Sequence, residues 1–309
     1  MRKLRILMIC AHPGDAFDDS GGTLCHHVER GDEVTVLIVT HGARSHAALF
    51  TDEKRKPKGQ RDEKLASATV EDITRVKSGE ILAAGRELGI TDVRFLHEED
   101  DVLLVRESLI LKIAQFIREE KPDILITHHP LQEGGLLTTH PIVGQIVLLG
   151  YEAAGARWTR DESLPPHQIS QVFFIGSING KPWSTSNLYH PEWCIYVDVT
   201  DVVKRKVKAL DHLKSQRYDG DYARKRIESW DGCKGTRVDV PYAETFVPMI
   251  PEVYRYLPIE QATLEKPKGW TARIERQSKL LAYRVPYERK PSGASSRRAK
   301  SRSHEASTR

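Results

Sequence analysis

Short apolar runs alternate with longer amphipathic stretches along the first half of the chain. Residues 4–10 form a continuous apolar run, which is typical of a strand buried on both faces, and residues 34–40 predict a second buried strand. Residues 93–96 and 123–127 predict a third and a fourth strand. The segments between them repeat apolar residues at helical spacing or carry helix start and stop residues: 20–31, with Ser20 as the expected cap, 73–88 and 108–120. Strands that alternate with helices predict a mostly parallel sheet covered by helices on both faces.

The second half of the chain has a looser pattern. QVFFIG and CIYVDVT predict further strands, and residues 202–216 predict an amphipathic helix. The polar residues from 41 to 70 predict one long loop. We therefore expect an α/β, Rossmann-like three-layer sandwich.

The composition changes near residue 264. Beyond it the chain is rich in Ser, Arg and Lys, and such a segment cannot bury enough apolar surface to order itself. We expect one catalytic domain over residues 1–264 and a basic, mostly flexible tail over residues 265–309, with a helix near residues 271–281.

Net charge, cysteine spacing and the length of the apolar runs limit the kinds of partner and setting that we expect. The net charge of +4 is small and much of it lies in the tail, so we expect no nucleic-acid partner. The four cysteines have no short spacing, which favours a reduced, cytoplasmic setting. No apolar run approaches the roughly 18 to 20 residues that span a bilayer. A small-molecule substrate fits this profile, and homo-oligomerisation stays open.

Imidazoles and carboxylates follow four of the predicted strands. Because the carboxyl ends of parallel strands meet at one edge of a sheet, we expect these side chains to lie close together. Histidine and aspartate around an open position are the ligands of a catalytic Zn²⁺ site, which lowers the pKa of water to about 7. The residues, strand by strand, are His12 and Asp15; His41, Arg44 and His46; His97 to Asp101; and His128, His129 and His140.

Several residues near these strand ends also have a structural interpretation. A lone His-x-x-Asp is more often a capping or hydrogen-bonding pair than a metal site. Asp18 and Asp19 suit the positive end of the first helix. His97 to Asp101 could be a solvated turn, and only one of His128 and His129 can point into a site at a strand end.

Two motifs resemble those of the PIG-L/LmbE-like zinc deacetylases. The family's A-H-P-D-D-E appears here as residues 11–16, AHPGDA, and its H-P-D-H as residues 137–140, LTTH. LGITDVRFL and KALDHLKSQ match weaker sequence features of the family, near its third strand and in a late helix. The resemblance spans about residues 4–251. It implies that His12, Asp15 and His140 bind one zinc ion and that the reaction is hydrolysis of an N-acetyl group on a sugar-like molecule.

The departures from this family are as informative as the matches. The aspartate that acts as the usual general base falls on Gly14, and the first histidine of H-P-D-H falls on Leu137. Loss of a positioned base typically costs about 10²- to 10⁴-fold in rate. The sequence is also similar to the 4-oxalomesaconate hydratase-like branch, which has a small residue at that position and transfers protons from the loop after strand 2.

This second resemblance implies a different set of catalytic residues. His46 would act as the base, and Arg44 or Lys77 would bind a substrate carboxylate; His128 is a further catalytic candidate. Three hypotheses remain: a zinc-dependent deacetylase, a zinc-dependent hydratase of an unsaturated oxo-carboxylate, and an inactive binding protein on the same fold.

Overall fold

The computed structural model describes residues 2–131, 138–157, 164–175, 194–266, 268–283 and 285. Within these ranges seven strands form one sheet: β1 (Arg5–Cys10), β2 (Glu33–Thr40), β3 (Asp92–Glu98), β4 (Ile124–His128), β5 (Gln171–Ile175), β6 (Ile195–Asp198) and β7 (Ala243–Pro248). The α-helices are α1 (Asp15–Glu29), α2 (Ala48–Arg55), α3 (Glu63–Ala66), α4 (Val70–Leu88), α5 (Glu107–Glu120), α6 (Thr139–Gly155), α7 (Val203–Asp211), α8 (Asp221–Ile227), α9 (Cys233–Arg237), α10 (Gln261–Glu265) and α11 (Trp270–Ala282).

The order in which strands are added to the sheet reverses at β1. The strand order is β3-β2-β1-β4-β5-β7-β6, in which the first five strands are parallel and β7 pairs antiparallel with β5 and β6. Ile9 lies opposite Leu37 of β2 and Thr127 of β4. The chain therefore runs from β1 outward to β2 and β3 on one side and then crosses to β4 on the other side of β1. Ligands bind at such a switch point, beyond the carboxyl ends of the strands.

Helices cover both faces of the sheet. Along β1, Ile6 and Met8 pack into one apolar core with α1, α4 and α7, whereas Leu7 and Ile9 pack into another with α5 and α6. Side chains alternate between faces along a strand, so a continuous apolar run supplies both cores. The predicted α/β three-layer sandwich with a mostly parallel sheet is confirmed.

Two local predictions are wrong. The stretch predicted as a long loop from 41 to 70 contains α2 and α3, because Phe50 is buried in a small apolar cluster with Ile73 and the Asp62 side chain caps α3. Ser20 does not begin α1, which starts at Asp15; its hydroxyl donates to a backbone carbonyl one turn earlier in the helix.

The end of the described chain packs on the fold. Helix α11 agrees with the predicted helix near residues 271–281. Val285 is buried, and its backbone N–H donates to Glu228 Oε1 at 3.1 Å. The predicted domain boundary at residue 264 stays a prediction, and residues 286–309 of the predicted tail lie outside the described residues. Among the helices described, none has both the length and the apolar character needed to cross a bilayer.

Candidate metal centre

The turn from β1 into α1 brings two candidate ligands together. Gly14 separates them and adopts φ +120°, a backbone conformation that favours glycine. The His12 backbone N–H donates to Asp15 Oδ2 at 2.7 Å, and the Asp15 N–H donates to the His12 carbonyl at 3.3 Å. The tight turn therefore directs both side chains to the same edge of the sheet.

His140, in the first turn of α6, completes a group of three. The His12 Nδ1 atom lies 3.1 Å from His140 Nε2, and Asp15 Oδ2 lies 3.4 Å from each of these nitrogens. Burial raises the pKa of Asp15, but the neighbouring His140 and His12 lower it by more, so the pKa lies well below its usual value. The carboxyl group is therefore ionised in the folded protein.

This donor set fits a divalent metal. Tetrahedral zinc with bonds of about 2.0–2.1 Å holds its ligand atoms about 3.3–3.4 Å apart, which agrees with the observed separations. Two imidazoles and one carboxylate are also the ligand types that zinc uses in catalytic sites. Among the described residues, the buried His12 Nε2 atom has no hydrogen-bond partner, so the polar contacts of this ring run through Nδ1, the nitrogen that faces His140 and Asp15.

His128, at the end of β4, lies directly behind these three side chains. It is fully buried, its Nε2 atom is 3.3 Å from Asp15 Oδ2, and its ring stacks on that of His140 with centroids 4.3 Å apart. The same Nε2 atom accepts a hydrogen bond from the Ala11 N–H. Burial, with His140, lowers its pKa to about 4, so the ring is neutral near neutral pH. Its catalytic role stays a prediction.

His46, in the loop after β2, also reaches this edge. Its ring centroid lies 4.5 Å from that of His12 in an edge-to-face arrangement, and one nitrogen each of His12, His46 and His140 falls within a 4.8 Å group. Burial lowers the pKa of His46 to about 4, with a further decrease from His12. The imidazole is therefore neutral and has a lone pair that can accept a proton.

The loop that carries His46 is held at several points. Asp100 is buried; its carboxylate accepts hydrogen bonds from the Arg44 N–H at 3.3 Å and from the Ser45 N–H at 2.9 Å. Lys77 of α4 donates from Nζ to the His46 carbonyl at 2.7 Å. Lys77 is fully buried, and burial lowers its pKa to about 8. Its predicted contact with substrate stays a prediction.

Arg44 points toward the rim of the site. Its guanidinium Nε donates to Glu99 Oε1 at 2.8 Å, and its side chain is 48% exposed. The hydrogen bond from Arg44 lowers the pKa of Glu99 to about 2, so this surface pair is charged on both sides at neutral pH. His41 lies 3.2 Å from the same carboxylate and 3.0 Å from Asp100.

Gln216 contacts the site and was not predicted from the sequence. Gln216, in a 3-10 turn after α7, is buried and donates from Nε2 to the Pro13 carbonyl at 2.7 Å. A Cβ atom at Gly14 would lie 3.2 Å from the Gln216 amide and 3.4 Å from Leu213. The space beside position 14 is thus already filled. KALDHLKSQ, which matches a late cue of the family, was the only signal that pointed to this segment.

Other candidates lie away from the three converging side chains. His129 packs edge-to-face on Phe174, and its Nδ1 accepts from the Leu131 N–H at 3.1 Å. His97 is exposed and stacks on Phe95. Asp18 forms an ion pair with Arg226 of α8. Leu137, the altered position of the second motif, lies outside the described residues.

A buried group of charges fixes the helix behind the site. Glu244 of β7 accepts hydrogen bonds at 2.8 Å from the Gly22 and Thr23 N–H groups of α1. Lys206 of α7 donates to Glu244 at 2.7 Å and to Asp231 at 2.6 Å, and all three charged side chains are buried. Helix α1, which begins at Asp15, is therefore tied to the second half of the chain.

Residues 7–149 match the family model PIG-L, described as GlcNAc-PI de-N-acetylase. Two similar curated relatives are 1D-myo-inositol 2-acetamido-2-deoxy-alpha-D-glucopyranoside deacetylases. The enzyme from Catenulispora acidiphila is 24% identical over 196 residues, covering 55% of this chain and 59% of the relative. The enzyme from Thermobispora bispora is 24% identical over 230 residues, covering 68% and 64%. The chain thus spans about three fifths of the length of these relatives.

Solved structures share the fold. GalB, the 4-carboxy-2-hydroxymuconate hydratase from Pseudomonas putida KT2440, matches with a TM-score of 0.65 at 19% identity and covers 83% of this chain and 100% of its own. N,N'-diacetylchitobiose deacetylase from Pyrococcus horikoshii matches with a TM-score of 0.61 at 18% identity, covering 79% and 83%. The shared fold, the deacetylase relatives and the match over residues 7–149 confirm the predicted resemblance of this chain to the PIG-L family.

Proposed function

We propose that this protein is a zinc-dependent hydrolase that removes an N-acetyl group from a sugar-like small molecule. The observation that carries the proposal is the convergence of His12, Asp15 and His140, whose donor atoms lie 3.1 to 3.4 Å apart. The deacetylases among its relatives, which act on an acetamido sugar by name, support the choice of reaction and substrate class.

Each side chain has a distinct part in the proposed reaction. His12, Asp15 and His140 hold the metal, and the buried His128 ring packs against that of His140 behind them. When bound, the metal supplies Lewis acidity, which makes water a better nucleophile near neutral pH. His46, neutral and beside His12, accepts the proton that the attacking water loses.

Arg44 contacts the substrate in this proposal. It is half exposed at the rim of the site and carries a permanent positive charge, so it suits a carboxylate or another anionic substituent. The proposal includes a cytoplasmic setting, in which the four free cysteines stay reduced. Assembly into a homo-oligomer stays a prediction.

A second candidate is a zinc-dependent hydratase that adds water across the double bond of an unsaturated oxo-carboxylate. The observation that favours it is the closed space at Gly14, where the usual deacetylase base would stand and where Gln216 lies instead. Both reactions use the same ligands and the same proton acceptor. They differ in whether a fragment leaves the substrate.

The test is a pair of assays on zinc-loaded protein. A deacetylase releases acetate from N-acetylglucosaminyl compounds, and Asp15→Ala abolishes this release. A hydratase changes the ultraviolet absorbance of a conjugated oxo-acid and releases no acetate. Neither signal, with zinc bound to folded protein, would refute both enzymatic proposals and leave a binding protein on the same fold.

A further inference from the structure

Lys77 is a buried lysine for which the described residues provide no carboxylate partner. Its side chain is completely inaccessible to solvent, and its ammonium makes one hydrogen bond among those residues, to the His46 carbonyl at 2.7 Å. Lys206, equally buried, donates instead to two carboxylates. Glu80, Asp100 and Asp15 attract this ammonium without a direct ion pair. A buried charge that lacks such a pair costs folding free energy, so a contribution to stability does not explain Lys77.

Lys77 contacts the loop that follows β2 and carries His46 at the candidate site. Gly42, at the start of this loop, has φ +63°, and a Cβ atom there would lie 2.8 Å from Pro13 and 2.9 Å from Lys77 Cε. Asp100 binds the middle of the loop through the backbone N–H groups of Arg44 and Ser45. The loop is therefore fixed by packing at its first residues, by a carboxylate in its middle and by an ammonium at His46.

We propose that Lys77 is a positioning residue for His46: its ammonium holds the His46 carbonyl so that the imidazole stays against His12, while Asp100 holds the preceding two residues. The consequence for catalysis rests on the proposed function, in which His46 accepts the proton from water. A lysine that contacted substrate directly would need an accessible ammonium, and Lys77 Nζ lies behind the loop instead. Residues at functional sites often oppose stability in this way.

The first arm of the test measures the loop without any substrate. Lys77→Met keeps the length of the side chain and removes its charge, and Arg86→Met, on an exposed position of the same helix, is the matched control. Arg44 is a tryptic site inside the loop and is half exposed. We expect cleavage after Arg44, detected by mass spectrometry under native conditions, to become about tenfold faster in Lys77→Met only.

The urea midpoint of Lys77→Met shows whether Lys77 positions the loop or stabilises the whole fold. Because methionine replaces a buried charge that has no carboxylate partner among the described residues, we expect the urea midpoint of Lys77→Met to stay the same or to rise. Zinc per chain should stay at the wild-type value. A lower midpoint with unchanged cleavage after Arg44 would overturn the proposal, since Lys77 would then support the fold rather than the loop.

The second arm measures turnover with the substrate found for the proposed function. We expect Lys77→Met to lower kcat with little change in KM, and the double variant with His46→Ala to be no slower than His46→Ala alone. Losses that multiply in the double variant would mean that Lys77 acts independently of His46. If His46→Ala alone has no effect, the proton-acceptor role fails, and the protease arm still decides whether Lys77 holds the loop.

Discussion

The Nδ1 atom of His12 and the Nε2 atom of His140 lie 3.1 Å apart although 128 positions separate the two residues in the chain. Two imidazole nitrogens at this distance need a proton or a cation between their lone pairs, since otherwise the lone pairs repel each other. Asp15 Oδ2, 3.4 Å from both, adds a negative charge to the same space. A divalent cation satisfies all three atoms at once.

Metal content is the first prediction. Purified protein supplied with zinc should contain about one zinc per chain by elemental analysis, and Asp15→Ala should contain almost none, because catalytic zinc sites use three protein ligands. Asp201→Ala removes an aspartate that is 73% exposed and should keep the metal. Folded wild-type protein without zinc would mean that the altered motif no longer binds a metal.

His46→Ala should separate proton transfer from metal binding. We expect the turnover number to fall about 10²- to 10⁴-fold, the usual cost of losing a positioned base, while zinc per chain stays unchanged. Steady-state kinetics measures this change, and the control variant is His26→Ala, which removes a histidine on the surface of α1. An unchanged rate in His46→Ala would exclude this histidine as the proton acceptor, and lost zinc would make it a ligand instead.

The candidate metal ligands were easier to predict from the sequence than the residues that hold the surrounding loops. His12, Asp15 and His140 stand out in sequence because each follows or begins an element at one sheet edge. By contrast, the contact of Gln216 is with a backbone carbonyl of a distant loop. Any sequence could provide such backbone atoms, so residue type carries no signal. Lys77 stands out in sequence for its charge, but only the structure reveals that α4 buries it.

Any side chain at position 14 should destabilise the protein. Alanine at φ +120° would be strained and would press on Gln216 and Leu213, so we expect Gly14→Ala to lower the free energy of unfolding by about 1–3 kcal/mol. Gly79 lies inside α4, and a methyl group added there would meet none of the described atoms within 4 Å. Gly79→Ala should therefore raise stability by up to about 1 kcal/mol. Urea unfolding measures both, and a neutral Gly14→Ala would show that the turn tolerates a side chain.

The central parallel strands β1, β2 and β4 were predictable because burial on both faces leaves a largely apolar run. The predicted boundaries at residues 34–40 and 123–127 differ from β2 and β4 by one residue at an end or at both. β7 was missed, since AETFVP is short and has a glutamate among its apolar residues. Glu244 is buried in an ion pair with Lys206, a tertiary contact that a local sequence pattern does not indicate.

Acid should weaken the protein through Asp32. Burial raises the pKa of Asp32, but hydrogen bonds from the Leu4 N–H, His27 and Arg30 lower it by more, so the folded pKa lies below the ordinary value. Its contribution to stability is thus present above about pH 4 and is lost as the pH falls through the folded pKa.

Asp32→Asn tests this pH dependence. The variant should be less stable than wild type at pH 7, and urea midpoints should show the difference narrowing as the pH falls below about 4. Asp62→Asn, in which an exposed helix cap is changed, should show a much smaller difference at pH 7. A difference for Asp32→Asn that is constant with pH would mean that packing, rather than the charge, stabilises this position.

Lys206 and Lys77 are both fully buried, yet replacement by methionine should lower the free energy of unfolding at Lys206 and leave it unchanged or raise it at Lys77. Lys206→Met leaves Asp231 and Glu244 buried without their shared cation, and breaking such a group typically costs about 3–5 kcal/mol. Lys77→Met leaves only a backbone carbonyl without its donor. Lys208→Met, an exposed change in the same helix as Lys206, should be nearly neutral. Equal losses in the two buried variants would refute the distinction between a lysine that stabilises the fold and one that positions the loop.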